Sequence, residues 1–207
     1  SHKFSSGSHA EGRIAGKAAI RYLVNESLDG LKYDDAAIDQ MKAKVLQPLK
    51  TYEENQNLST QSDVNPAYIL PKMFMMRMQK LMDEYAGGVT AQFTTSKPNL
   101  ERALELLDLL REDSEKLGAP DLHQLMRCWE NVHRSYQAEA HVRAMLFREE
   151  TRWPGYYFRS DTPKMDNENW KVFVNGSLKP DSGEWTFKKV PIAHIFDEAS
   201  DHELVGG

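Results

Sequence analysis

Between Pro98 and Phe147, apolar residues recur at spacings of three and four through two stretches that only Gly118-Ala119-Pro120 interrupts. That period belongs to helices with one buried face. Leu100, Ala103, Leu104, Leu107 and Leu110 mark the first face, on a helix opened by Pro98-Asn99 and ending near Gly118. Asp121 is placed to cap the second helix, which runs to about Phe147 with Leu125, Cys128, Trp129, Val132, Tyr136, Ala140 and Phe147 as its apolar face. A short joint between two such helices predicts an antiparallel hairpin. The chain is therefore mainly α, and its other segments must cover the hairpin.

Helical spacing also runs through Glu11–Asn25, where Ile14, Ala18, Ala19, Tyr22 and Leu23 form a stripe that Leu28-Asp29-Gly30 ends. A second helix is expected over Asp34–Glu54, with Ala37, Ile38, Met41, Val45 and Leu49 on one side, kinked or divided at Pro48. A polar linker follows over residues 55–63, and Asn65-Pro66 reads as the N-cap and first position of a third element. Pro71 separates or bends its first turn; its body, Met73–Tyr85, stops at Gly87-Gly88. The methionines at 73, 75, 76, 78 and 82 are irregularly spaced beside Leu70, Phe74 and Leu81, a pattern of adaptable packing rather than soft metal ligation. Val89–Lys97 reads as a loop or extended crossover.

Beyond Arg148 the pattern changes. Trp153-Pro154-Gly155 cannot continue a helix, and Tyr156-Tyr157-Phe158 is a dense aromatic block flanked by Arg152 and Arg159. Pairing of these arginines with carboxylates, while Trp153 and the tyrosines cover the bundle, is the expected role; lining an interface with another domain or subunit is the rival. Trp170–Val174 and Trp185–Val190 are two expected strands joined through Asn175-Gly176-Ser177 and Ser182-Gly183, a β-hairpin. A polar, frayed tail is expected from Asp197 to Gly207. Residues 11–150 thus read as a helical bundle, and residues 151–207 as an aromatic loop, a β-hairpin and a tail.

Composition narrows the function classes. A net charge of -5 gives no overall attraction to nucleic acid. The one cysteine, Cys128, excludes an internal disulfide and an all-cysteine iron–sulfur ligand set within these residues. No apolar run approaches the roughly 20 residues of a bilayer span, and a cytoplasmic location is expected. His133 and His141 share a helix without the H-E-x-x-H spacing of a zinc site, so with His123 they read as surface or hydrogen-bonded groups. The faces bearing Glu105, Glu112, Asp113, Glu115 and Lys116 read as solvated helix surface, and no serine lies in a nucleophile-elbow sequence.

The opening residues 1–19, SHKFSSGSHAEGRIAGKAA, carry the candidate chemistry. Ser8 and Glu11 have the spacing of a capping box, making Ser8 the expected N-cap. Upstream, Ser5, Ser6 and Gly7 would then present backbone N–H groups at the positive end of a helix dipole, suited to a carbonyl or an anion. The plainer alternative is an ordinary serine cap.

This segment resembles the last flavin-contacting stretch of the fumarate reductase and succinate dehydrogenase flavoprotein superfamily, a Ser/Gly/Asn loop opening a helix that carries a Glu and then G-[KR]-A-A. Here those positions are Ser6-Gly7-Ser8, Glu11 and Gly16-Lys17-Ala18-Ala19. Within that superfamily, His2-Lys3-Phe4-Ser5-Ser6-Gly7-Ser8, the block from Glu150 to Asp161 and the segment Trp170–Val174 are similar to the adenylylsulfate reductase alpha-subunit family. The resemblance implies the C-terminal helical bundle of a fumarate reductase-like flavoprotein, with residues 1–10 ending an FAD-binding domain. No initiator Met opens the chain and no G-x-G-x-x-G fingerprint occurs in it, so the dinucleotide site is expected upstream and the fragment alone is expected to be inactive.

The implied activity is interconversion of adenylylsulfate with sulfite and AMP, with FAD as cofactor and iron–sulfur clusters held only by a partner beta subunit. Ser5, Ser6, Gly7 and Ser8 would contact the pyrimidine end of the flavin. Lys3 stands where fumarate-reducing relatives carry a carboxylate-gripping Arg, and would face a substrate anion or the flavin edge. Phe4 would wall the substrate's adenine or pack under the flavin, and His2 would donate to substrate or cofactor. Two rivals stand beside this reading. Another superfamily enzyme, such as a fumarate reductase or L-aspartate oxidase, calls for the Arg that Lys3 replaces; a non-enzymatic helical interaction domain would use the serine loop only as a cap.

Overall fold

Six helices and two small strand pairs make up the described part of the chain. The computed structural model describes residues 2–26, 34–55, 69–153, 155–179 and 182–192. The helices are α1 (His2–Asn25), α2 (Asp35–Asn55), α3 (Pro71–Tyr85), α4 (Lys97–Ser114), α5 (Leu122–Phe147) and the short α6 (Asn167–Trp170). The strands are β1 (Thr94–Thr95), β2 (Phe158–Arg159), β3 (Val172–Leu178) and β4 (Trp185–Pro191). The expected break at Leu28-Asp29-Gly30, the linker beyond Asn55, the Asn65-Pro66 start and the tail from Asp197 fall outside the described residues.

The chain divides into two units, residues 1–45 and 46–207. In the first, α1 begins at His2, so Ser8 lies inside the helix and is not its N-cap. A capping box is a local preference worth about 1 kcal/mol, whereas extending an existing helix adds one backbone bond per residue fixed. Propagation wins here. Ile14, Ile20, Tyr22, Leu23 and Val24 of α1 are exposed, Val24 at 78%. Ile38, Met41 and Val45, at the start of α2, are also exposed. Asp34 opens α2 by accepting from the Ala36 N–H at 3.0 Å. Pro48 does not divide α2, which continues to Asn55.

The second unit holds the core. Phe74, Met78 and Leu81 of α3, Leu100, Ala103, Leu107 and Leu110 of α4, and Leu125, Cys128, Val142 and Met145 of α5 form one cluster. The α4 face is the one its leucines predict, with Leu104 on the half-buried flank. Met78 is buried, Met75 and Met82 pack against the cluster, and Met73 and Met76 are exposed. Asp121 caps α5 as its position requires, accepting from the Gln124 N–H at 2.8 Å. The connection between α4 and α5 is longer than Gly118-Ala119-Pro120: residues 115–121 intervene, and Ile69 bridges to Leu117 within them.

Two glycines end α3 for different reasons. Gly87 adopts φ +78°, the left-handed conformation that L side chains resist, and the Gly88 N–H donates to the Asp83 carbonyl at 2.9 Å, closing a Schellman turn. A Cβ on Gly88 would lie 2.5 Å from the Asp83 Cα. The following turn places Gln92 and Phe93 at positive φ before β1, which pairs in parallel with β2 through Thr94↔Phe158 and Thr95↔Arg159. This pairing ties the aromatic block to the α3–α4 connection.

β3 and β4 form the expected hairpin, antiparallel with Val174 opposite Lys189. Its limits differ from those read in the sequence. Trp170 ends α6 and is buried instead of starting a strand, and Asn175-Gly176-Ser177 continues β3 instead of turning. Asp166 captures Trp170 for the helix by capping it, accepting from the Asn169 N–H at 3.0 Å.

The contrast between two glycines gives a test. Gly88→Ala should lower stability by about 1–3 kcal/mol, because the clash is with backbone. Gly12→Ala, in an α1 site with nothing within 4 Å of the added Cβ, should raise the stability of its helix by up to about 1 kcal/mol. Urea denaturation of the two variants would show opposite shifts.

Candidate functional site

All seven residues expected to meet cofactor or substrate, His2, Lys3, Phe4, Ser5, Ser6, Gly7 and Ser8, lie on the first two turns of α1. The expected loop over Ser5–Ser8 is not formed there. In an α-helix each amide past the first turn is directed to the carbonyl four residues before it. Those of Ser6, Gly7 and Ser8 are directed to the carbonyls of His2, Lys3 and Phe4. A flavin carbonyl needs such amides open, so this conformation does not fit the group. Nothing within 4 Å of an added Cβ explains a glycine at position 7 in this helix.

A second constellation, drawn largely from the block between Glu150 and Asp161, lies where α5 ends. The Glu150 side chain is 0% exposed. It accepts from Arg148 Nη1 at 2.6 Å, from Arg152 Nε and Nη2 at 2.7 and 2.9 Å, and from the Asp166 N–H at 3.0 Å. Burial pushes its pKa up, and the hydrogen bonds from Arg152, Asp166 and Arg148 outweigh that, holding the carboxyl below its ordinary range. Arg148 also donates to the carbonyls of Trp170 and Val172, each at 2.9 Å. One carboxylate thereby aligns the end of α5, the start of the aromatic block, α6 and β3.

Arg159 is the next link. At 1% exposure it donates to Asp161 through Nε and Nη2 at 2.8 and 2.5 Å, and to the Met145 carbonyl at 2.6 Å. Its hydrogen bonds hold Asp161 below the carboxylate range against some burial. Both arginines thus take the pairing role expected of them. The aromatic cover is narrower than expected: Tyr157 packs against the core, while Trp153 and Tyr156 are 69% and 81% exposed.

The third link is Glu139, buried on α5, which pairs with Arg111 and Arg143 and accepts from Trp185 Nε1 at 3.1 Å. Trp185 stacks on Phe187, Phe187 on Phe147, and Phe147 meets Trp170 edge-on at 5.7 Å. Lys189 Nζ sits 3.5 Å from the Trp170 ring centre. These groups brace the hairpin on α5. Cys128 is buried, its thiol pushed up to about 12, and is no nucleophile. His123, His133 and His141 are exposed, and among the described residues no cluster of His, Cys, Asp and Glu is arranged to hold a metal. α3 and α5 also flank an open cleft of about 410 Å³ rimmed by Lys72, Arg127, Glu130 and Arg134.

Comparison with known proteins then decides the family. The family described as fumarate reductase flavoprotein C-term matches residues 75–198. The chain belongs to the fumarate reductase flavoprotein C-terminal family. Its match to the adenylylsulfate reductase alpha subunit of Megalodesulfovibrio gigas is 44% identical over 94% of this chain and 29% of that protein. The structure of adenylylsulfate reductase from Archaeoglobus fulgidus superposes with a TM-score of 0.83 at 52% identity, over 95% of this chain and 30% of that one. A structure of adenosine-5-phosphosulfate reductase in covalent complex with sulfite matches equally. Escherichia coli quinol fumarate reductase shares the fold, with a TM-score of 0.59 at 20% identity over 87% of this chain and 28% of that one. The chain therefore spans about 30% of the length of the relatives it matches. The expected fold, a helical flavoprotein C-terminal region with a small β-hairpin, is the one the described residues form.

Glu150 carries a pH signature. Its depressed pKa contributes stability that is present above the unfolded carboxylate value of about 4.3 and is lost as pH falls through the lower folded value. Glu150→Gln should cost about 3 kcal/mol at pH 7, the low end for breaking a buried pair because both arginines remain partly exposed. The loss of stability on acidification should also become shallower. Urea titrations at pH 7 and pH 4 on both proteins read the two effects.

Proposed function

We propose that this chain is the C-terminal part of the FAD-containing alpha subunit of an adenylylsulfate reductase, which in its full length interconverts adenylylsulfate with sulfite and AMP. The observation carrying this reading is the split in identity. Adenylylsulfate reductases match nearly the whole chain at 44–52%, against 18–20% for the succinate dehydrogenase and fumarate reductase structures.

Ser5, Ser6, Gly7 and Ser8 are the proposed cofactor contacts, and Lys3, Phe4 and His2 the substrate contacts. The flavin, when bound, supplies the two-electron chemistry. The chain's own part is to bind, orient and enclose. Lys3 offers an anion a compact ammonium where the dicarboxylate branch uses the planar fork of an arginine, which favours a sulfate- or phosphate-bearing ligand over fumarate. Phe4 gives a flat apolar surface to a purine or to the flavin. The buried Glu150 and Glu139 pairs act at a distance from chemistry by keeping the hairpin and aromatic block in place. An iron–sulfur beta subunit is the proposed electron partner, and the cytoplasm the proposed location. By itself the chain is proposed to be inactive.

The test is to express the full-length subunit carrying this chain with the iron–sulfur subunit and follow the visible flavin spectrum. Sulfite with AMP should bleach it, and the response should depend on AMP. Bound flavin that ignores sulfite and AMP but is reoxidised by fumarate would move the protein to the dicarboxylate branch. A full-length subunit without flavin would leave a helical interaction domain.

A further inference from the structure

The cleft between α3 and α5 shares no residue with positions 2–8 or with the Glu150 and Glu139 clusters. Pro71, Lys72, Met75 and Met76 enter it from α3, Arg127 and Arg134 from α5. Its walls are tied together. Asn131, 2% exposed, donates to the Pro71 carbonyl at 2.7 Å and holds the start of α3 to the middle of α5. The cleft is therefore formed before anything enters it, and its volume of about 410 Å³ lies within the usual range for bound groups, roughly 300–1,000 Å³. Its surface is of two kinds. Met75 packs partly into the core and Met76 is 55% exposed, two unbranched thioethers that adapt to differing apolar partners. Around them stand three cations, Lys72, Arg127 and Arg134, against the one carboxylate of Glu130. Glu130 pairs with Arg134 at 3.5 Å, and Arg134 also reaches Met75 Sδ at 4.0 Å. Arg127 Nε donates to His123 Nε2 at 3.4 Å; among the described residues neither Arg127 nor Lys72 has a carboxylate partner. This local excess of positive charge sits on a chain whose net charge is -5.

We propose that this cleft docks an acidic amphipathic helix of a partner protein, with an apolar side chain seated on Met75 and Met76 and carboxylates set against Lys72 and Arg127. An amphipathic helix laid into a groove between helices is a recurrent mode of recognition, in which the apolar face anchors and flanking charges select. The charge pattern here selects for acid. Arg134 is already held by Glu130 and closes the rim, so Lys72 and Arg127 carry the attraction. A polyanion without apolar side chains would meet the rim and leave Met76 in water, so the methionines favour the amphipathic ligand over it.

The test uses the full-length subunit carrying this chain and fluorescein-labelled helical peptides followed by anisotropy. The first peptide has leucine at every third or fourth position and glutamate elsewhere; the second has lysine for glutamate, and the third serine for leucine. The first should bind best, and more weakly as salt is raised. Reversing both free cations, Lys72→Glu with Arg127→Glu, should weaken the first peptide about tenfold and strengthen the second. Met76→Ser should weaken the first about threefold, and Arg102→Glu, on the exposed face of α4, should leave it unchanged. Lys72, Met76 and Arg127 are all exposed, so these variants keep the fold, which an unchanged melting temperature checks. Equal binding of the serine peptide would make the cleft a polyanion site and overturn the proposal. Binding that ignores the double reversal, or no binding of the first peptide, overturns it as well.

Discussion

A carboxylate removed from water is the constraint on which the second unit turns. Burying an unpaired charge costs several kcal/mol even after relaxation, so Glu150 is tolerable only where the two arginines and the Asp166 amide converge on it. That requirement sets the path of the chain after Phe147. Arg148 cannot reach Glu150, the Trp170 carbonyl and the Val172 carbonyl together unless α6 and β3 return to the end of α5. An apolar replacement of equal volume could match the stability of such a pair, but it would not aim a backbone. Directionality, more than net energy, is what this cluster contributes.

The same logic explains which parts of the fold were legible. Apolar spacing located α4 and α5 closely, because a helix face facing a common core repeats at three and four whatever its partner. On α5 it placed Leu125 and Cys128 in the core, where they are, and missed the polar part of the buried face. The expected stripe through Trp129, Val132 and Tyr136 is a half-buried flank, and the buried one includes Asn131, Ser135 and Glu139. These polar residues are inside because each has a partner that sequence cannot display. Asn131 donates to the Pro71 carbonyl at 2.7 Å and Ser135 to the Val132 carbonyl at 2.7 Å, while Glu139 meets two arginines and an indole. Binary patterning counts hydrophobicity and is blind to satisfied polarity.

Glycine and tryptophan show the complementary case. Gly87-Gly88 announced the end of α3 correctly, since positive φ and a close approach are both local demands. Gly176 announced a turn that does not exist. Its place in β3 is opposite Phe187, whose ring comes within 2.7 Å of where a Cβ would be, so the missing side chain makes room across the hairpin. The β-propensity of Trp170 suits the start of a strand. Packing against Phe147, Arg148 and Lys189 placed it at the end of a helical turn instead. Propensity describes a residue's average surroundings, and these two residues are set by particular neighbours.

The candidate site was legible in a different sense. Sequence points to residues 2–8 through a motif and a capping signal, and the described conformation places them on a helix. This is the expected place for local and extended signals to disagree. A binding segment must satisfy its amides in two circumstances, with a ligand and without one, and a buried or semi-buried amide cannot wait unpaired. A helix is the cheapest way to occupy amides that have no ligand, because each bond is made within the segment itself. Serines and a glycine then keep that helix shallow in free energy. The weak helix formers at positions 5–9 therefore hold this stretch of α1 with less free energy than an alanine-rich turn would.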